Sequence, residues 1–294
     1  MSLEIKQNEP LSKHTTFAIG GPAKYFVVAK TKEEVLEAIN FAESKKLPFF
    51  ILGGGSNLLI NDGGYDGLII KIQMGGVHIA GDTITAGAGV LLSQLVNESA
   101  NNGLSGLEWA AGIPGTIGGA VNGNAGAYGR SVSKSVDEIV VLAEEDGEWK
   151  EKKYSNKECG FEYRKSKFKH FANREIILEV VLNLQKSDTE KVRGEIRNTI
   201  LQRKGKIPAQ PSAGCVFKNI KKDGQLVATA SKLVEECGLK GVKSGGAEIP
   251  HLHGNYVVNS GGAKAEDVLK LINLCKQKVK ERFNLELEEE IIVM

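Results

Sequence analysis

Apolar residues along this chain fall into two rhythms, a short strand-like run and a helical repeat, which alternate from the N-terminus onward. Lys24 to Ala29 is rich in aromatic and β-branched positions and predicts a strand. Thr31 and Glu34 then form a capping box, and Val35, Ala38, Ile39 and Ala42 recur at helical spacing until Pro48. Phe49 to Leu52 predicts a buried strand that runs straight into Gly-Gly-Gly-Ser-Asn. Leu68 to Ile72 and Thr83 to Ala86 predict further strands, and Leu91 to Asn101 a helix stopped by Gly103. Glu138 to Lys152 predicts a hairpin with Asp146-Gly147 at its turn, and Ile176 to Leu184 one more strand.

The second half of the pattern changes character. Thr189 to Lys204 predicts a charged amphipathic helix with Val192, Ile196 and Ile200 on one face, leading into a stretch punctuated by Pro and Gly. Beyond it come a helix around Ser231 to Cys237, a longer one from Ala265 to Phe283, and a strand from Leu285 to Val293. Val268, Leu271, Ile272, Cys275 and Val279 form the apolar stripe of the longer helix. The expected class is α+β. A domain of residues 1–195, itself in two α+β parts of roughly 1–75 and 76–195, precedes a smaller α+β domain of residues 196–294.

Composition narrows the function classes. A net charge of +2 with acids and bases interspersed gives no nucleic-acid footprint. The longest apolar runs are far shorter than the roughly 20 residues a membrane span needs, and Met1 to Pro10 has no apolar signal core, so the expected location is the cytoplasm. Cys159, Cys215, Cys237 and Cys275 show no paired spacing and no nearby His cluster, which argues against a zinc site or a disulfide framework. His251 and His253 alternate but lack a third ligand, so no metal is expected and a structural role is favoured.

Glycine, at 35 residues, is the composition's outlier, and it is clustered rather than spread. Gly53-Gly54-Gly55-Ser56-Asn57 follows a buried strand, where bare N–H groups can cradle a phosphate or diphosphate. It is neither a Walker loop nor a dinucleotide fingerprint opening a helix, and alone it suits an empty turn as well as a binding loop. Ala111 to Gly129 is poorer still in side chains; it is expected to build no core of its own and to be ordered by a large flat ligand against bare backbone.

Leu-Gly-Gly-Gly-Ser-Asn at 52–57 together with Ala-Gly-Ile-Pro-Gly-Thr-Ile-Gly-Gly-Ala-Val-Asn-Gly-Asn-Ala-Gly-Ala-Tyr-Gly at 111–129 resembles the UDP-N-acetylenolpyruvoylglucosamine reductases. The resemblance starts near His14 and runs to the C-terminus. It implies a two-part FAD-binding domain of the vanillyl-alcohol oxidase type followed by a substrate-binding domain. Gly53, Gly54, Gly55, Ser56, Asn57 and Leu58 would wrap the FAD diphosphate. Gly112, Pro114, Gly115, Thr116, Gly118, Gly119, Asn122 and Gly126 would line the rest of the cofactor.

The activity implied is NADPH-dependent reduction, through FAD, of UDP-N-acetylglucosamine enolpyruvate to UDP-N-acetylmuramate, in peptidoglycan precursor synthesis. Hydride reaches the methylene carbon of a vinyl ether, charge develops toward the adjacent carboxylate, and the other carbon takes a proton. Tyr163 to Phe168 resembles the family's Tyr-Arg-x-Ser-x-Phe, so Arg164 would hold the substrate carboxylate, beside Tyr163. Ala213 to Asn219 resembles a segment that usually carries serine where Cys215 stands, and Cys215 would be the proton donor. Leu287 to Ile291 aligns Glu290 with the family's glutamate, and Glu289 and Ile220 stand where proline is usual. Lys206 and Asn219 would bind the UDP phosphates, with Lys218 and Arg203 as further candidates.

The chain looks like the shorter subclass of this family, as a monomer or weak oligomer. Two rivals stand beside this reading. A sugar or alcohol oxidase of the same superfamily would share Gly53 to Asn57 but should lack the Tyr163 and Phe217 segments. A non-catalytic sensor of UDP-sugars would keep the glycine loops and lose Arg164, Cys215 and Glu290, all of which are present.

Overall fold

Strand and helix alternate as the apolar pattern predicts, and they sort into two units. The computed structural model describes residues 3–169 and 175–294. One unit comprises Met1–Ile5, Phe26–Gly54 and Leu68–Arg203, the other Lys6–Tyr25, Gly55–Gly67 and Lys204–Met294. The units are therefore interleaved in sequence and exchange for the last time at 203/204, whereas the division expected at 195/196 is continuous. The chain also passes from one to the other inside the triple glycine, between Gly54 and Gly55.

In the first unit Phe49–Leu52 pairs in parallel with residues 68–71, so the run into the glycines leaves a sheet of buried Ile and Leu. Helix α1 (Lys32–Ser44) starts where Thr31 accepts the Glu34 N–H, and Val35, Ala38, Ile39 and Ala42 are its buried face. The expected reciprocal capping box is modified, because the Glu34 carboxylate takes the N–H of Lys30 instead of that of Thr31. A five-stranded antiparallel sheet follows, in the order Glu148–Ser155, Val136–Glu145, Glu175–Asn183, Thr83–Gly87, Val77–Ala80. Its hairpin turns at Asp146 and Gly147, both with positive φ (52° and 81°), the combination a type I′ turn requires.

Helix α2 (Leu92–Asn101) buries Leu92, Leu95 and Val96. Helix α3 (Ile117–Asn122) corrects the expectation that residues 111–129 build no core. Ile117 and Val121 are fully buried, and α3 packs on the strands Glu175–Asn183 and Thr83–Gly87. Small residues make this possible: a Cβ on Gly118 would lie 2.8 Å from that of Ala88, so the helix sits close enough for two apolar side chains to reach the sheet. Helix α4 (Thr189–Arg203) departs from its expected stripe, since Val192 is buried but Ile200 is half exposed.

In the second unit an antiparallel sheet runs in the order Ser212–Cys215, Tyr256–Asn259, Ala247–Glu248, Lys243–Ser244. Helices α5 (Ala230–Glu236) and α6 (Ala265–Phe283) pack together, and α6 buries the stripe Val268, Leu271, Ile272, Cys275 and Val279. Each fully buried aliphatic side chain of this kind contributes about 1.5–3 kcal/mol. The start of α6 is closed by Asp62, whose carboxylate accepts the N–H groups of Ala265 and Glu266. The expected strand from Leu285 to Val293 is reduced to Ile292–Val293, parallel to Leu58–Leu59. The preceding residues are drawn off to pair with residues 216–218. Among the described residues no helix is long and apolar enough to cross a membrane.

Candidate active site

In the first unit the leading half of the triple glycine lies against the start of α3. A Cβ on Gly53 would stand 2.8 Å from Thr116 Oγ1, and one on Gly54 2.7 Å from the Gly115 Cα. Only bare backbone passes at these distances. Thr116 fixes the other wall: its hydroxyl accepts the Gly119 N–H at 3.3 Å, as the α3 cap. Gly115, at φ 119°, holds a backbone shape that side chains disfavour, and its carbonyl accepts the Leu92 N–H. Gly112, Pro114 and Gly119 are exposed, while Gly118 faces the sheet.

Arg164 sits on a tight turn with φ 56°, closed by reciprocal main-chain bonds between Glu162 and Lys165. The turn leaves Tyr163 exposed and lays the half-buried Arg164 along the second glycine cluster, where its Nη2 donates to the Gly126 carbonyl at 3.0 Å. Its guanidinium lies 5.5 Å from the Tyr163 ring centre. Ser166, fully buried, donates to the Asn122 carbonyl at 2.7 Å, and buried Asn124 donates to Glu162. Arg164, Asn122 and Gly126 are thus brought together, as two segments that the sequence linked only by resemblance. Arg203, at the end of α4, bonds the Trp109 carbonyl and packs beside Gly112.

The second unit assembles the other candidates around the last residues of the chain. Gly55, buried at φ 64°, faces the His14 carbonyl so closely that any side chain there would collide with it; its own carbonyl accepts the Thr16 N–H. Ser56 is half-buried beside it, and Leu58 is buried in the parallel pair with Ile292. The Asn57 amide donates to the Glu290 carbonyl at 3.0 Å, and the Asn57 carbonyl accepts the Ile292 N–H at 2.9 Å. Glu290 in turn donates its N–H to the Val216 carbonyl at 2.7 Å. Cys215, half-buried, precedes Val216 directly at the end of an irregular strand whose Gly214 has φ 78°. Cys215 and Glu290 are therefore registered on one residue, Val216.

The phosphate candidates are more dispersed. Lys206 is exposed after α4. The Lys218 ammonium pairs with Glu288, and the Asn219 side-chain oxygen accepts the Ala230 N–H at 3.1 Å, closing the start of α5. Thr16 and Asn255, which lie in family-like stretches but outside the expected site residues, hold this region: the Thr16 hydroxyl donates to the Ser212 carbonyl at 2.8 Å. Asn255, 4% exposed, is a polar side chain among apolar strand residues, the one local signal that could have marked it.

Burial pushes the Cys159 thiol up to about 11 and the Cys275 thiol up to about 12, and it raises Cys237 as well. His253 is held below its ordinary value, first by burial and then by Lys240, and its Nδ1 accepts the Asn255 N–H at 3.2 Å. Among the described residues no group of three or more His, Cys, Asp or Glu could hold a metal ion. Gly53 and Gly54 pack directly on Thr116 and Gly115, so the two glycine loops join into one side-chain-poor surface, edged by exposed Gly112 and Gly119, of the kind a large flat cofactor such as FAD would lie against.

A profile of the UDP-N-acetylenolpyruvoylglucosamine reductase C-terminal domain matches residues 206–294, and a profile of an FAD binding domain matches residues 23–151. The UDP-N-acetylenolpyruvoylglucosamine reductase of Clostridium tetani is 39% identical over 100% of this chain and 93% of its own length. That of Bacillus licheniformis is 38% identical over 99% of this chain and 94% of its own. The crystal structure of the Thermus caldophilus reductase superposes with a TM-score of 0.80 at 36% identity, covering 100% of this chain and 99% of that one.

Proposed function

This chain belongs to the UDP-N-acetylenolpyruvoylglucosamine reductase family, and we propose that it reduces UDP-N-acetylglucosamine enolpyruvate to UDP-N-acetylmuramate with NADPH. It is an FAD-dependent oxidoreductase, and the step serves peptidoglycan synthesis. One observation carries the catalytic assignment: Val216 follows Cys215 and accepts the Glu290 N–H, so a thiol and a carboxylate from distant parts of the chain share one anchor.

FAD, when bound, supplies the hydride chemistry that no side chain of this protein can perform. Gly53 and Gly54 pass Gly115 and Thr116 close enough to form its cradle, with Gly112, Pro114 and Gly119 presenting main chain. The planar Arg164 fork, fixed by Gly126, holds the substrate carboxylate where negative charge develops. Cys215 holds the proton that the ether-bearing carbon must receive, and a thiol gives it up more readily than a hydroxyl. Glu290 assists the proton delivery, with its backbone braced by Asn57 and Val216. Lys206 and Asn219 bind the diphosphate, with Lys218 as a further candidate, and Tyr163 contacts the substrate beside Arg164. The cytoplasm is the proposed place of action.

The test is a purified protein, a visible flavin spectrum, and NADPH absorbance followed with and without the enolpyruvyl substrate. Oxidation of one NADPH per substrate supports the reading. A yellow protein that oxidises no NADPH in response to substrate leaves only the cofactor domain standing.

A further inference from the structure

Residues 253–259 carry a sequence motif, His-Gly-Asn-Tyr-Val-Val-Asn, to which the reaction as described gives no task. Its buried member is Asn255, 4% exposed. The Asn255 side chain forms both halves of an amide pair with one backbone residue: Oδ1 accepts the Phe217 N–H at 2.9 Å, and Nδ2 donates to the Phe217 carbonyl at 2.8 Å. Its own main-chain carbonyl accepts the Val216 N–H at 2.9 Å. Three hydrogen bonds from one residue therefore fix the two positions immediately after Cys215.

The opposite side of the same two positions is taken by the chain's end. The Val216 carbonyl accepts Glu290, and Phe217 bridges to Glu289. Cys215 itself leaves a strand whose register breaks between Ser212 and Cys215, with Gly214 at φ 78°. A ladder that is irregular here does not by itself define where the thiol points. The Asn255 amide carries the pairing beyond the end of the ladder, to Phe217, and being buried it cannot be exchanged for water at small cost. His253 adds a support from behind, accepting the Asn255 N–H.

We propose that Asn255 is a positioning residue that sets Cys215 in register with Glu290 for proton delivery. The proposal rests on the reading of Cys215 as the donor, and it adds the element that holds the donor in place. Asn255 touches neither cofactor nor substrate in this scheme. A side-chain amide suits the task because it offers one donor and one acceptor to a peptide group, whereas a carboxylate offers acceptors alone.

The test compares wild type with Asn255→Ala and the near-isosteric Asn255→Asp, all normalised to bound FAD. Three rates are read: bleaching of the flavin absorbance by NADPH alone, return of that absorbance on adding UDP-N-acetylglucosamine enolpyruvate, and peptide-resolved alkylation of Cys215 and Cys237. The variants should bleach within about twofold of wild type, while substrate-driven return slows about 100-fold, the scale on which small misplacements act. Cys215 alkylation should rise several-fold relative to Cys237. Where Asn255→Ala does not fold, Asn255→Asp, which keeps the volume and the acceptor for Phe217, carries the test. Equal losses in bleaching and return, or Cys215 alkylation and return at wild-type rates in Asn255→Asp, overturn the proposal. A wild type that bleaches but shows no substrate-driven return sinks the assigned reaction instead, and the alkylation ratio still decides whether Asn255 holds Cys215.

Discussion

The side-chain amide of Asn57 donates to the backbone carbonyl of Glu290 at 3.0 Å, across 233 residues of sequence. The residue that closes the triple-glycine loop is therefore also a brace for the C-terminal glutamate. With the Ile292 N–H bound to the Asn57 carbonyl, the brace has two bonds, one on either side of Ile291.

Asn57→Ala removes one of these bonds and leaves the Glu290 carbonyl without its side-chain donor. The expected cost is about 1 kcal/mol of stability, the usual worth of a part-buried hydrogen bond. Amide hydrogen exchange in residues 288–292 should accelerate at least several-fold, and turnover should fall with it. Unchanged exchange across that peptide would show that the brace does not hold the segment.

Gly54→Ala places a methyl 2.7 Å from the Gly115 Cα, which is backbone and cannot swing aside. FAD affinity should fall at least tenfold, equivalent to about 1.4 kcal/mol. The readout is the flavin-to-protein ratio after desalting at a series of FAD concentrations. Thr116→Ala, which removes the cap of α3 without adding bulk, should instead cost about 1 kcal/mol in stability and less in affinity. An alanine at 54 that keeps full FAD loading is incompatible with the cradle.

Cys275 gives the protein a pH dependence on the alkaline side. Burial raises its folded-state thiol from 9.0 to about 12, so the folded chain holds that proton more tightly than the unfolded chain. The contribution is complete below about pH 9 and is lost as pH climbs from there toward 12. Cys159, raised to about 11, adds a smaller effect of the same sign. Cys275→Ala should therefore be less stable at pH 8 because of the lost packing, yet its Tm should decline less between pH 8 and 11. Parallel declines in both proteins would rule the thiol out as a contributor.

Lys206 is exposed, so its removal should leave stability unchanged within about 0.5 kcal/mol. Lys206→Met should raise the KM for the UDP-sugar about tenfold while kcat changes little, as expected for binding lost equally in ground and transition states. A fall in kcat with unaltered KM would place Lys206 in the chemistry and away from the diphosphate.

The glycine motifs and the helical stripes were legible because they are local. Positive φ at Gly115, and Val268 through Val279 on one face of α6, follow from residues within a few turns of each other. What pairs across long separations was not. Glu288 to Glu290 read as a strand, but their partners are Val216 to Lys218, and alternation cannot announce a mate some seventy residues away, the 70-residue separation of the Lys218–Glu288 pair. Residues 111–129 read as coreless because side-chain volume was counted without the close approach that Gly118 permits, which lets Ile117 and Val121 anchor α3. The sequence assigns Asn255 no role because its task depends on burial opposite Phe217, a partner 38 residues away.

The donor assignment is tested most directly by single-turnover reduction of UDP-N-acetylglucosamine enolpyruvate in wild type, Cys215→Ser and Cys215→Ala, each loaded with FAD. Cys215→Ala should lose about 10²–10⁴-fold in substrate-driven return of the flavin absorbance. Cys215→Ser, carrying the hydroxyl that the family usually has, should retain most of the rate, and all three should bleach alike with NADPH. An alanine variant that forms UDP-N-acetylmuramate at the wild-type rate would contradict the account and move the proton donor to another residue.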